Sequence, residues 1–232
     1  MISIDIISDT VCPWCFIGKR RLEKAVAQRP RFDYQIGWRP FQLNPDMPSG
    51  GMPRPQYLSL KFGGPERASK IYANVEAAGR SEELDFQFGA IQQQPNTFDS
   101  HRLIRWSAAA GVQDAVVEML FTRYFREGAD IGDRAVLAEV AGVCGMSADE
   151  VASNFDNDVD VEQVKAEEML ARRMGINGVP CFIIDRKYAV SGAQDPSVLV
   201  NVFDLTTREA AAARSDAPSA PAPQAAEEAA GD

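Results

Sequence analysis

The sequence predicts an α/β protein made of an N-terminal βαβ unit and a later ββα unit, separated by a block of helices about a hundred residues long. Two patterns carry that reading. Ile2, Ile4, Ile6 and Ile7 form a short β-branched run with the period of a strand, an alternating run follows at 32–38, and after the helical block strand signals return only at 181–184 and 188–191. Between those runs the apolar positions recur mainly at helical spacing.

The first strand, 2–8, leads through Thr10 and Val11 into Cys12. Pro13 then opens a helix in which Phe16, Leu22, Ala25 and Val26 are interspersed with Lys19, Arg20, Arg21, Glu23 and Lys24. Proline is favoured at the first helical position because its missing N–H has no intrahelical partner there anyway. Residues 32–38 alternate apolar and polar and close the βαβ unit, although Gly37 weakens the strand; a proline-rich loop containing Gly50 and Gly51 follows. Helices are then predicted over 56–62, 66–79, 100–110, 112–125, 134–143, 148–156 and 159–174. Strands at 181–184 and 188–191, joined by a turn at Asp185-Arg186-Lys187, precede a last helix over 196–208 or longer. The chain thus divides into 1–54, a helical insertion over 55–160, 161–214, and a tail over 215–232. The tail is Ala, Pro and Glu with no aromatic or β-branched residue, so it cannot offset its ordering entropy by burial and is expected to be disordered.

A chain of 232 residues with 45% hydrophobic composition can bury a full core. Its net charge of -9 argues against a nucleic-acid partner, because phosphate binding needs a surplus of Lys and Arg. The N-terminus shows no basic segment followed by an apolar stretch and a small-residue cleavage site, and no run reaches the roughly 18 apolar residues that span a bilayer. No membrane association is expected, and the cytoplasm is the expected site of action. Four cysteines are too few for a disulfide scaffold in a chain this long, and in a reducing compartment a close pair points to catalysis or metal binding.

Cys12 and Cys15 are that pair, in the run Cys12-Pro13-Trp14-Cys15. A thiol attacks a disulfide as thiolate, and a helix N-terminus favours negative charge through its unpaired N–H groups and its dipole. Cys12 is therefore the candidate nucleophile. Cys15, about one turn later, is placed to attack the mixed disulfide and release the substrate. The pair also has the spacing of a zinc half-site, but Cys144, Cys181 and His101 are scattered singly and supply no second close pair, so no metal is expected. Farther on, Gly175-Ile-Asn-Gly-Val-Pro180 delivers a proline to the start of a strand, the position in a strand where its missing N–H is tolerated.

A CPWC run after the first strand, a helical insertion, and Gly-Val-Pro before a later strand resemble the DsbA family. The fold implied is a thioredoxin fold interrupted by a large all-helical insertion. Within the family the chain is similar to the FrnE-like branch, related to the glutathione-dependent 2-hydroxychromene-2-carboxylate isomerases. That similarity rests on Asp9-Thr-Val-Cys-Pro-Trp-Cys-Phe-Ile-Gly18, Asn96-Thr-Phe-Asp-Ser-His-Arg-Leu103, Gly175-Ile-Asn-Gly-Val-Pro180 and Ser191-Gly-Ala-Gln194. The resemblance implies a thiol–disulfide oxidoreductase, a cis Val179–Pro180 bond facing the cysteines, an extended substrate pairing with the Val179 backbone, and Gly178 allowing the turn. It implies no tightly bound cofactor. Partners would be protein or small-molecule thiols and disulfides, with glutathione as co-substrate. The isomerases carry serine where Cys12 stands, so two cysteines favour redox chemistry. Some FrnE-like proteins have a second cysteine pair near the C-terminus, which this sequence lacks.

The remaining candidates have competing readings. His101, the single histidine, is either a cap or packing residue or a polar group in the cleft. Asp9 is either a solvated turn residue or a proton acceptor for Cys15. Trp14 is expected to be partly exposed as an apolar contact for substrate. Lys19 and Arg20 read as residues of a solvent-facing helix. Cys181, next to Pro180, reads as a small buried group or as a third exchanging thiol, and Cys144 as helix packing. Two rival functions are an isomerase that needs glutathione and a redox-insensitive holdase using the surface around Trp14.

Overall fold

The computed structural model describes residues 1–215, so the tail expectation lies outside the described residues except for Ser215, which ends the last helix. β1 (Ile2–Ser8), α1 (Pro13–Ala27) and β2 (Tyr34–Pro40) form the βαβ unit, with β1 and β2 parallel from Ile2–Tyr34 to Ser8–Pro40. That register starts β2 two residues later than the alternation predicts. Phe32 is held in a turn by its N–H on the Arg29 carbonyl (3.1 Å), and the strand continues to Pro40.

The chain then runs through β3 (Met52–Pro53), α2 (Arg54–Phe62), α3 (Pro65–Ser81), β4 (Gln93–Gln94), α4 (Phe98–Ala109), α5 (Gln113–Phe125), α6 (Arg134–Val143), α7 (Ala148–Asp156) and α8 (Val161–Arg173). It returns to the sheet as β5 (Cys181–Ile184) and β6 (Tyr188–Ser191) and closes with α9 (Pro196–Ser215). The sheet order is β2-β1-β5-β6, with β5 antiparallel to both of its neighbours. Asp185 and Arg186, both at positive φ (49° and 55°), make the tight β5–β6 turn, and Asp185 Oδ1 accepts from the Ser3 N–H at 2.7 Å. The two-residue β3–β4 pair, Met52 with Gln94 and Pro53 with Gln93, was not among the predicted strands.

The two faces of the sheet are unequal. Ile2, Ile4, Ile6 and Phe182 share a large core with α1, α5 and α9. Phe16 of α1 stacks on Phe121 of α5 at 4.9 Å and lies edge-on to Phe86 at 6.2 Å, so the helical block and the sheet close over one apolar interior. Ile7 and Cys181 point to the opposite face, where Phe41, Ala171 and Ile176 form a much smaller cluster. Among the described residues, no helix is long and apolar enough to cross a membrane.

Candidate active site

The reactive pair sits where β1 turns into α1. Cys12 is the N-cap residue of α1, with extended backbone (φ -94°, ψ 110°), and Pro13 occupies the first turn. The Cys12 N–H donates to the Asp9 carbonyl at 3.0 Å, and the Cys15 N–H donates to the Cys12 carbonyl at 3.0 Å. Both thiols are free, 4% and 1% exposed, while Trp14 between them is 37% exposed. Burial, and secondarily the adjoining Cys12, push the Cys15 thiol well above its usual pKa; the Ser8 hydroxyl and the Asp9 backbone pull the other way without prevailing. Cys15 is thus held as a thiol one turn into the helix that Cys12 caps.

Across the gap, the Cys12 Sγ–H faces the Val179 carbonyl at 3.6 Å, and the Val179–Pro180 bond is cis. The residue that admits this loop is Gly18, one turn after Cys15. A Cβ there would lie 2.9 Å from Pro180 Cγ and 3.2 Å from Phe182 Cζ. Gly18 was quoted from the sequence only as part of a motif; its packing role depends on a strand 160 residues away. Gly178, by contrast, is not needed for the turn. It has no positive φ and nothing near its Cβ position, and the glycine with left-handed backbone is Gly175 (φ 81°), just past the end of α8.

Asp9 is not a solvated turn residue. It is 1% exposed; its Oδ2 accepts from the Leu43 N–H at 2.7 Å, and its Oδ1 lies 3.6 Å from His101 Nε2. Thr10 and Ser100 pair through their hydroxyls at 2.8 Å, docking the start of α4 against the active-site loop. Two residues further along that helix, Arg102 turns away: its guanidinium donates to the Val159 and Asn154 carbonyls and to Asp99, a scaffold role. Asn96 also braces loops, donating to the Met47 carbonyl and accepting from the Phe98 N–H.

Lys19 corrects a sequence expectation. Instead of facing solvent it is buried, with Nζ 2.5 Å from Glu23, 3.0 Å from Asp114 and 3.1 Å from Glu118. Burial works to lower its pKa, and the three carboxylates outweigh that and raise it. Cys181 lies on the far face of the sheet, its Sγ 3.9 Å from Ser191 Oγ, and burial lifts its pKa. Cys144 caps the end of α6 and is half-buried.

A further group near the cleft was not anticipated. Arg54 is buried among Gln94, Tyr72 (2.7 Å to its hydroxyl) and Tyr124 (3.3 Å), with no carboxylate paired to it among the described residues. No cluster of three or more metal-ligating side chains occurs among the described residues.

The comparisons with known proteins agree with this fold. The model of the DSBA-like thioredoxin domain matches residues 3–204, and the chain belongs to that family. Its Cys12–Cys15 pair is the CxxC of such a domain. A probable DsbA oxidoreductase, SCO1869 from Streptomyces coelicolor, is 30% identical, with a TM-score of 0.82 over 90% of this chain and 91% of that one. A 2-hydroxychromene-2-carboxylate isomerase shares the fold at 14% identity, TM-score 0.65, over 91% of this chain and 98% of that one. So does the cytosolic disulfide reductase DsbM from Pseudomonas aeruginosa, solved with GSH, at 17% identity and TM-score 0.59, over 89% and 99%.

Proposed function

We propose that this protein is a thiol–disulfide oxidoreductase that exchanges disulfides through the Cys12-Pro13-Trp14-Cys15 dithiol. The observation that carries the reading is the approach of Cys12 Sγ, at the N-cap of α1, to the Val179 carbonyl beside cis-Pro180. An extended substrate pairing with the Val179 backbone has its sulfur delivered to Cys12. The Cys12 thiolate attacks the substrate disulfide, forming a mixed disulfide and expelling the distal substrate sulfur. Cys15, once deprotonated, attacks Cys12, forming the Cys12–Cys15 disulfide and releasing the second substrate thiolate. Trp14 offers apolar contact at the mouth.

Glutathione is the proposed small-molecule co-substrate, a reading supported by the glutathione-bound DsbM neighbour. Because proline and tryptophan, with no histidine, lie between the cysteines, the couple should be less oxidising than the roughly -120 mV of DsbA. The test is insulin reduction with and without glutathione. Cys12→Ser should reduce turnover to background, and Cys15→Ser should accumulate a mixed disulfide on Cys12 detectable by mass. Undiminished turnover by Cys12→Ser would overturn the assignment. Glutathione-dependent isomerisation surviving loss of Cys15, or client protection surviving alkylation of both thiols, would instead favour the isomerase or the holdase.

A further inference from the structure

The segment that follows β2 is anchored at three points. The Gln42 N–H donates to Glu168 Oε1 at 3.1 Å, the Leu43 N–H donates to Asp9 Oδ2 at 2.7 Å, and the Met47 carbonyl accepts from Asn96 Nδ2 at 2.7 Å. Leu43 is thereby tied to the turn that carries Cys12, whose own N–H donates to the Asp9 carbonyl at 3.0 Å. Leu43 and Val179 are the two partly buried residues that pack against both the large core and the small cluster on the far face, so both lie at the seam between the two. From Leu43 a cavity of about 320 Å³ opens between this segment and α2. Leu43 and Met47 line one side of it, and Met52, Tyr57 and Leu60 line the other. Burial raises the Tyr57 pKa, and the Asp9 charge adds to that rise, which keeps this wall within electrostatic reach of the active-site turn. The charged groups, Asp46 and Lys61, are exposed, and Lys61 Nζ is turned to Asn44 Oδ1 at 3.2 Å. Leu60 is 71% exposed, an apolar wall with one side uncovered.

We propose that this cavity is a subsite for a large apolar side chain flanking the reacting cysteine of a polypeptide substrate. The inference rests on the exchange chemistry proposed above and narrows the selected substrates to polypeptide disulfides, because glutathione has no apolar side chain to fill the space. A substrate strand paired to the Val179 backbone presents its sulfur to Cys12, and a neighbouring side chain of the same strand passes over Leu43 into the cavity. Successive side chains of an extended chain project to opposite sides, so only particular positions beside the cysteine reach it. The volume lies at the small end of the ~300–1,000 Å³ of ligand pockets, which suits one side chain rather than a whole ligand. Met47 and Met52 are unbranched and polarisable, so the cavity adapts to aromatic and aliphatic shapes alike. The wall at Leu43 is held by bonds within the protein, so a side chain is buried there without the segment first having to be ordered.

The test uses the reduced full-length protein and short polar peptides whose single cysteine is capped as a mixed disulfide with 2-nitro-5-thiobenzoate. The Cys12 thiolate attacks the peptide sulfur; the Cys12–peptide bond forms, and the peptide–thiobenzoate bond breaks with its electron pair leaving on the coloured thiolate. Absorbance therefore reads the first step directly. The peptides carry Phe or Ser, in turn, at each of the two positions on either side of the cysteine. At one of these positions Phe should raise the second-order rate constant roughly tenfold or more over Ser, the effect of burying one large apolar side chain. Leu60→Asp should bring that ratio close to unity, whereas general damage to the protein would slow both peptides alike and leave the ratio standing. No position that favours Phe, or a preference that Leu60→Asp leaves intact, overturns the subsite. Capped glutathione that outpaces every Phe peptide and slows in Leu60→Asp assigns the cavity to glutathione and also overturns it. Absence of thiolate release from every peptide would remove the exchange chemistry itself, whereas equal release from the Phe and Ser peptides removes the subsite alone.

Discussion

Cys15 and Cys181 are both buried, and they lie on opposite faces of one sheet. Cys15 lies on the α1 face, beside a second sulfur, the Ser8 hydroxyl and the backbone of Asp9. Cys181 lies on the α8 face among Ile7, Phe41, Ala171 and Ile176, its sulfur 3.9 Å from a serine hydroxyl. Burial raises the pKa of both thiols. What distinguishes them is alternation along β5: Phe182 faces α1, so Cys181, next to it, must face away. Adjacency to cis-Pro180 in sequence therefore does not bring Cys181 to the dithiol, and burial alone does not make a thiol part of the chemistry.

That contrast can be broken most sharply at Gly18, which lets the Pro180 loop settle on the reactive face. Gly18→Ala introduces a Cβ 2.9 Å from the proline ring, inside any real contact distance. It should lower stability by about 1–3 kcal/mol, as overpacking does, and reduce turnover by displacing Val179 from Cys12. Paired denaturation and insulin-reduction assays would check both, and full activity would show that the loop can yield at no functional expense.

A smaller effect concerns how α1 is held. Burial works to raise the pKa of Glu82 and Glu118, but Lys24 and Arg21 at Glu82, and Arg20 and Lys19 at Glu118, outweigh it and lower both. A carboxylate whose folded pKa lies below its unfolded value of about 4.3 stabilises the fold above that value and loses its contribution as pH falls through the folded pKa. The urea midpoint should therefore fall as pH drops below about 4, and Glu118→Gln should flatten part of that decline. A midpoint independent of pH between 7 and 3 would contradict the assignment. Lys19 works in the opposite sense, its share being present below about pH 10.4 and lost above it.

The smallest effect belongs to the far face. Cys181→Ala should cost about 1 kcal/mol by loss of a small buried group and leave turnover unchanged. After mild oxidation, peptide mass mapping should find the Cys12–Cys15 disulfide with Cys181 unmodified. A Cys181 disulfide with either active-site cysteine would erase the distinction between the faces.

The amino-acid pattern by itself determined the local elements. The helices 134–143 and 148–156 have the predicted bounds, and each starts at a side-chain cap: Asp133 Oδ1 accepts from the Ala135 N–H, and Ser147 Oγ from the Glu150 N–H. Where no such cap marks the start, as at Thr97 before α4 or Asp160 before α8, the start shifts by two residues. The strand-CxxC-helix arrangement was equally legible, because an N-cap, a proline in the first turn and one turn of spacing are properties of neighbouring residues. Only tertiary structure decided what depends on distant chain. It buried Asp9 against Leu43 and His101, put Lys19 among the carboxylates of α5, and set Gly18 under Pro180. It also turned Cys181 away from the dithiol. Local pattern reports which face of an element is apolar, but which partner meets that face, and which polar side chain is trapped there, follows from packing between segments that the sequence keeps far apart.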